Sequence, residues 1–126
     1  MLIEQLPLAR QLDMAFKKLL GELDYLSSGT VFIQIRNNAI GKFGIRHNPI
    51  ESKDGAMNEP GKGLTGAQQS AFCTMAIQSL KMKKHWTHGE IYFDFTVRQN
   101  VLVASVQFES NYNMANLVAE INQHRI

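Results

Sequence analysis

The chain alternates between stretches with helical hydrophobic spacing and stretches in which apolar residues recur at every second position. The first helical stretch carries apolar residues three or four positions apart, namely Leu12, Phe16, Leu19, Leu20, Leu23 and Leu26. This spacing predicts an amphipathic helix over about 7–25, which Pro7 suits at its first turn. From Thr30 the period changes to two, which predicts a strand that Asn37-Asn38 turns back into a second strand over 39–47.

The same order of patterns returns in the second half of the chain. Thr65 and Gln68 fit a capping box that opens a helix reaching about residue 84. Alternating residues then predict strands over 90–98 and 101–109. A last amphipathic helix is predicted over about 112–124, and we expect it to dock through its apolar stripe. The stripe consists of Met114, Leu117, Val118 and Ile121.

The two halves align with an offset of sixty positions. Ser27-Ser28-Gly29 corresponds to Thr87-His88-Gly89, and the alignment continues upstream, where Leu12 matches Phe72 and Leu26 matches Trp86. We interpret this as one helix-plus-hairpin unit used twice, over about 7–47 and 65–109, within a single domain spanning 1–126. The predicted fold class is α+β, ordered α-β-β-α-β-β-α, with a four-stranded antiparallel sheet and the helices packed on one face.

The segment 47–64 separates the two units and shows no hydrophobic period. It contains Pro49 and Pro60 together with three glycines, so we interpret it as a long connection. Loops of this length within a domain are usually functional or mobile. The segment is therefore one candidate for a binding element.

The composition indicates more about the cellular location of the protein than about the chemistry that it performs. The chain has 126 residues, a formal net charge of +2 and one cysteine, Cys73, which has no intramolecular disulfide partner. The segment 1–7 lacks the basic and apolar regions of a signal peptide, and no apolar run approaches the length of about 20 residues that a membrane helix needs. We expect a cytoplasmic protein that does not contact membranes.

The polar face of the predicted sheet is the main candidate site. If the apolar residues of all four strands face the helices, the opposite face carries mixed charges with Phe32 and Tyr92 as aromatic anchors. The candidate partner-binding residues are Phe32, Gln34, Arg36, Lys42, Arg46, Tyr92, Asp94 and Arg98. Such a surface suits recognition of a protein partner or pairing with a second copy. The simpler interpretation is cross-strand charge pairing on a solvated face.

A glycine-rich turn provides an alternative. Gly61-Lys62-Gly63-Leu64-Thr65-Gly66 matches the spacing of dinucleotide-binding turns and leads into a helix, so Lys62, Gly63 and Thr65 are candidates for binding an anion. No strand precedes the turn, which that motif requires. By analogy with small bacterial ligand-sensing and regulatory domains built from paired units, a groove between the units is the corresponding site for a small molecule or nucleotide.

The densest basic run, Lys81–His88, provides a second alternative. Its lysines and histidines could contact phosphates while Trp86 stacks on a base, which would make the protein a weak nucleic-acid binder. Cations at a helix C-terminus also complement the helix dipole. Because Trp86 aligns with Leu26, it equally suits a role in closing the core.

No catalytic constellation is readable from the residue pattern. Cys73 lies among apolar residues in a predicted helix, as a small buried side chain would. His85 and His88 with Glu90 include zinc-ligand types, but their spacing crosses a predicted helix end that does not enforce a site. We therefore expect no catalytic residues, no metal and no cofactor. The function predicted is a non-enzymatic protein-interaction module, such as a regulator, inhibitor, immunity protein or phage-type accessory protein.

Overall fold

A computed structural model describes residues 6–58 and 61–123 of the chain. The elements in chain order are α1 (Leu8–Leu23), β1 (Ser28–Arg36), β2 (Ala39–His47), β3 (Ser52–Lys53), β4 (Ala56–Met57), α2 (Gly66–Ser79), a 3₁₀ turn (Leu80–Met82), β5 (His88–Arg98), β6 (Val101–Ser110) and α3 (Met114–Gln123). The long strands form one antiparallel sheet in the order β2-β1-β5-β6. The predicted α+β class with a four-stranded antiparallel sheet is confirmed.

One face of this sheet, the inner face, is covered by α1 and α2. Val31, Ile33 and Ile35 of β1 are buried on it, as alternation in a strand requires. Phe93 of β5 lies beneath Phe16 of α1 and Phe72 of α2, with ring centroids 5.7 and 6.4 Å away in edge-to-face geometry. Burial of these side chains against the sheet supplies the main stabilisation of the fold.

Both hairpins close with turns in which two successive residues adopt positive φ. The values are 51° and 60° at Asn37-Asn38, and 50° and 65° at Gln99-Asn100. These are type I′ turns, whose twist matches that of the flanking strands. The register of the second hairpin follows from its turn throughout, whereas that of the first follows from its turn only as far as Ile35, beyond which it shifts by one residue.

The matching glycines at the starts of β1 and β5 are places where chains approach closely. A Cβ atom on Gly89 would lie 2.3 Å from the carbonyl oxygen of Glu109, and one on Gly29 would lie 3.0 Å from that of Arg46. Only glycine fits without displacement at Gly89. The repeated glycine thus has a steric cause within the strands, and it ends neither helix, because α1 ends at Leu23 and α2 at Ser79.

The predicted capping box of α2 is present, with Thr65 Oγ1 accepting from the Gln68 amide and Gln68 Oε1 accepting from the Thr65 amide. The helix is shorter than predicted, and its regular α-geometry ends at Ser79. The Ser79 hydroxyl donates to the carbonyl of Ala76 at 2.6 Å, a local bond that competes with helical geometry. The chain leaves the 3₁₀ turn in an extended conformation at Lys83.

The connection between the units contains regular structure that the absence of a hydrophobic period did not predict. β3 and β4 form a small exposed hairpin, closed by Asp54-Gly55 with φ values of 52° and 85°. Asp-Gly is a strong type I′ signal, so this dipeptide was the readable sign. Residues 59–60 of the connection lie outside the described part of the chain.

The structure does not show the expected docking of α3 through its apolar stripe. Every residue of α3 is exposed, and the four stripe residues retain between 46 and 71% of their accessible surface. Hydrophobic period shows which side of a helix is apolar but does not identify what covers it. The predicted end at residue 124 lies outside the described residues. Within the described ranges, no helix has the length and apolarity needed to cross a membrane.

Candidate functional site

The second face of the sheet, here called the outer face, carries the alternate side chains of the four long strands. The exposure of Lys42, Asp94 and Gln107 shows that none of the described helices lies over it. The face brings together Phe32, Gln34, Lys42, Arg46, Glu90, Tyr92 and Asp94. Six of these seven are candidate residues from the sequence, and Glu90 joins them.

Phe32 and Tyr92 lie at the centre of the outer face. They are register partners on the two central strands, and they are also the residues that the sixty-position alignment equates. The neighbour of Phe32 on β2 is Gly44, where a Cβ would lie 2.9 Å from the ring. Gly44 therefore lets the Phe32 ring lie across β2, while Lys42 Nζ is 5.9 Å from the ring centroid.

Tyr92 lies between two carboxylates. Its hydroxyl donates to Glu90 on its own strand and is 3.1 Å from Glu109 Oε2 on β6. The hydrogen bond to Glu90, together with desolvation and the neighbouring Glu109, raises the pKa of Tyr92 to about 12. Glu90 and Glu109 are directly opposite each other in the β5–β6 ladder. Like charges in that position destabilise a sheet, so this pair costs free energy in the isolated chain.

Charge is divided between the two hairpins on this face. Lys42 and Arg46 belong to β2, whereas Glu90, Asp94 and Glu109 belong to β5 and β6. Among the described residues, the side-chain ion pairs within 4 Å involve α1 and His47 and none of these five. The cross-strand charge pairing that would explain a merely solvated face is therefore absent there. A shallow cavity of about 320 Å³ opens between the two charged halves, above Phe32 and Tyr92.

The structure does not bring all the candidate residues together. Arg36 lies at the end of β1, opposite His88, and Arg98 lies at the far end of β5. The eleven residues from His88 to Arg98 are ten steps along a strand, which extend about 33 Å. The two arginines therefore mark opposite ends of the outer face and are not part of its centre.

The glycine-rich turn packs against the end of α1. A Cβ on Gly63 would lie 1.8 Å from the carbonyl oxygen of Asp24, and the amide of Leu64 donates to the Leu23 carbonyl at 3.1 Å. The hydroxyl of Thr65 is already engaged by the capping box. Lys62 is exposed. Close packing thus accounts for Gly63, and anion binding at Lys62, Gly63 and Thr65 stays a prediction.

In the basic run, Trp86 is buried and does not present its ring to solvent. Lys83 Nζ lies 5.0 Å from its ring centroid, and Phe108 contacts it edge-on at 5.5 Å. Its role in closing the core is confirmed, and stacking on a base is not available in this arrangement. Nucleic-acid binding through the remaining basic side chains stays a prediction, without the aromatic contact that was expected of Trp86.

Cys73 is half-buried, with its thiol 3.7 Å from Asp13 Oδ1. Burial and the neighbouring carboxylate raise the pKa of the Cys73 thiol, which suppresses the nucleophilic thiolate at neutral pH. Over the described residues, no three histidine, cysteine, aspartate or glutamate side chains cluster closely enough to hold a metal ion.

A larger cavity lies elsewhere, beside the start of α3. Its volume is about 540 Å³. The polar lining includes Lys83, His85, His88, Asn111, Asn113 and Asn116. Asn113 also caps α3, since its side-chain oxygen accepts from the amides of Ala115 and Asn116.

No protein-family model, no curated protein and no solved structure matches this chain. The site must therefore be judged by its own geometry. Sequence reasoning missed the Glu90–Tyr92–Glu109 group, because the pairing of Glu90 with Glu109 is visible only once the β5–β6 register is known. Paired residues of this hairpin lie at equal distances from the Gln99-Asn100 turn, so counting outward from the turn would have paired Glu90 with Glu109.

Proposed function

We propose that this protein is a non-enzymatic, cytoplasmic interaction module that binds a partner protein through the centre of the outer face. The observation that carries the proposal is the Phe32–Tyr92 pair, held in register at the middle of an uncovered sheet between a basic and an acidic half. Aromatic anchors surrounded by charge are typical of energetically important interface positions.

The acidic half suggests the chemistry of the partner. Glu90 and Glu109 are opposite one another, and the Tyr92 hydroxyl lies beside both. An arginine or lysine of the partner placed between the two carboxylates would offset part of their negative charge and relieve their repulsion. The gain on binding would then include the free energy that the isolated chain loses by pairing like charges.

The basic half fits the same interpretation. Lys42 and Arg46 are exposed, and each lies near an aromatic ring of the central pair. Acidic side chains of the partner would meet them across the face. A partner with charges arranged in the reverse order would dock in one orientation only, since rotation by half a turn brings like charges together.

Affinity capture from a lysate of the source organism, read by mass spectrometry, tests the proposal. The wild-type chain should enrich a partner protein that Tyr92→Ala and Arg46→Glu fail to retain. Each change should weaken binding of that partner at least about tenfold, which corresponds to about 1.4 kcal/mol. Both variants should remain folded at the temperature of the capture experiment, because their side chains lie outside the core, and circular dichroism checks this.

Lys18→Glu is the matched control, because it reverses an exposed charge on α1, far from the outer face. It should retain the partner fully. Lys53→Glu, on β3, reports separately on the connection between the units. Retention of the partner by Tyr92→Ala and Arg46→Glu, or its loss only in Lys53→Glu, would contradict the proposal.

A second candidate function is binding of a small anionic molecule in the cavity beside α3. The convergence of Lys83, His85 and His88 on a cavity of about 540 Å³ favours it. A thermal-shift screen with nucleotides and phosphorylated metabolites should then give a stabilisation that His85→Ala removes. Loss of the stabilisation in Lys62→Gln instead would assign the ligand to the glycine-rich turn.

A further inference from the structure

Of the thirteen large apolar side chains that are exposed in the described part of the chain, six lie on β6 and α3. On β6, Val101 and Val103 retain 60 and 55% of their accessible surface, and the α3 stripe is similarly exposed. These groups belong to one continuous stretch of chain. An isolated ten-residue helix is marginal in water, so α3 gains most of its stability only when its stripe is covered.

β6 is also an edge strand with free backbone groups. The amide of Asn111 donates to the His88 carbonyl, which shows that the odd-numbered residues of β6 form the bonds to β5. The backbone groups of Leu102, Ala104, Val106 and Phe108 therefore point to the open edge. β6 is regular over its whole length, and Glu109 is its only charged residue.

Such a strand lacks the features that protect sheet edges. Lysines, prolines, bulges and inward-pointing charges prevent edge-to-edge pairing in most proteins, and β6 has none of them. An exposed edge of this kind invites a further strand.

We propose that a second copy of this chain docks on β6, antiparallel to it, about a two-fold axis through Ser105, with the α3 stripes completing the interface. In this register the free backbone groups of Leu102 face those of Phe108 in the other copy, and those of Ala104 face Val106. Only pairs of even-numbered residues can exchange these bonds, and this register satisfies that condition along the strand.

The placement of charge on β6 favours a second copy as the occupant. Glu109 of each copy lies opposite Val101 of the other, so the only charges on β6 stay apart. A single added strand does not reach the roughly 800 Å² per partner of a stable interface. The exposed α3 stripe, which follows β6 after three residues, offers the additional apolar surface. The inference does not depend on the proposed partner binding, because it uses the backbone edge of β6 and the stripe of α3, whereas β6 contributes only the Glu109 side chain to the proposed site.

A cysteine at the two-fold axis tests the register directly. In a Cys73→Ser background, Ser105→Cys places two thiols at a non-hydrogen-bonded pair, where Cα atoms are about 4.5 Å apart, within the range for a disulfide. Mild oxidation with diamide should link the chains into covalent dimers. Gln107→Cys is the matched control: it lies on the same strand and face, but its two copies would be about 14 Å apart along the strands, so it should not cross-link.

Sedimentation velocity provides the second measurement. The wild-type chain should be a dimer. Ser105→Lys should shift it to monomer, since two lysines would meet at the axis, and Leu117→Asp with Ile121→Asp should do so through α3. Asn116→Asp with Gln123→Asp, on the opposite side of α3, should stay dimeric. Circular dichroism confirms that each variant is folded.

A monomeric wild-type chain at all concentrations would overturn the inference. Equal cross-linking of Ser105→Cys and Gln107→Cys would overturn the strand register. If the dimer persists in Ser105→Lys but dissociates in the α3 variant, the interface is formed by the helices alone. That result would overturn strand pairing. A dimer that only Ser105→Lys dissociates would uphold strand pairing and remove α3 from the interface.

Discussion

The two edges of the sheet are built differently, although the hairpins that provide them share a turn type and a starting glycine. β2 contains Gly41, Gly44, Lys42 and Arg46, and an extra residue in β2 interrupts its register with β1 between Ile33 and Ile35. That irregularity is a bulge, which disturbs pairing along an edge. β6 has neither a glycine nor a bulge, and its outer positions near the turn are valines.

The two units carry equivalent buried residues where they meet at the centre of the sheet, and they carry different residues on the two edge strands. At the shared centre, β1 and β5 bury equivalent residues beneath both helices. At the margins, one edge carries the features that prevent pairing and the other does not. Equivalent positions in the two hairpins therefore permit matched substitutions, in which one hairpin serves as the control for the other.

The largest difference is expected at the two glycines that begin the central strands. Gly89→Ala should destabilise the fold by about 1–3 kcal/mol, because its Cβ would meet the Glu109 carbonyl at 2.3 Å and the backbone must shift. Gly29→Ala should be strained mainly by the φ of 157° at this position, since the nearest carbonyl is at 3.0 Å, and it should cost less than the backbone shift at Gly89. Urea unfolding of both variants measures the two costs. Equal costs would mean that the two hairpins accommodate a side chain alike, against the geometry described above.

A smaller effect is expected at the turns. Gln99 adopts a φ of 50° in the second turn, where the first turn has Asn37 at 51°. Asparagine tolerates this conformation better than glutamine. Gln99→Asn should therefore stabilise the protein by about 0.5 kcal/mol, and the reciprocal Asn37→Gln should destabilise it by a similar amount. Changes of the same sign in thermal unfolding would show that the turns are not interchangeable.

The smallest expected effect compares the acidic and basic halves of the outer face by their influence on the pKa of Tyr92. The raised pKa of Tyr92 favours its neutral form in the folded state, so the stability that this provides is complete below tyrosine's ordinary pKa of 10.0 and is lost as the pH rises through about 12. Glu90→Gln should lower the pKa of Tyr92. Arg46→Gln, on the basic half, should change it less.

Spectrophotometric titration follows the tyrosines together, so Tyr25→Phe and Tyr112→Phe are introduced to isolate the signal of Tyr92. A pKa of Tyr92 that is unaffected by Glu90→Gln would remove the carboxylate as the cause of the shift.

Local patterns in the sequence predicted those parts of the fold that local physics determines. The change from helical to alternating period placed the long helices and strands, and Thr65 with Gln68 predicted the start of α2 correctly. The Asp54-Gly55 turn was equally local and could have been read. The end of α2 was misplaced by a few residues, since α-geometry ends at Ser79, where the Ser79 hydroxyl donates to the Ala76 carbonyl and a 3₁₀ turn follows.

The remaining features depend on contacts between distant segments. Pairing of Phe32 with Tyr92 requires the register of β1 against β5, which no turn determines and which packing beneath α1 and α2 selects. The open position of α3 could not be inferred from its apolar stripe, since the stripe shows only that some surface must cover it. Most residues at the centre of the candidate site could be named from the sequence, but the pairing of Glu90 with Glu109 and the separation of the centre from Arg36 and Arg98 could not.

The pairing of β1 with β5 also bears on how the molecule assembles. Partners in this central pair lie between 52 and 68 positions apart, whereas each hairpin joins neighbours in the chain. Closing so long a segment is entropically costly, so both hairpins can form early, while the central ladder must await the meeting of the two halves. The rate-limiting event in refolding should thus be the encounter of two preformed hairpins, and shortening the connection between them should accelerate it.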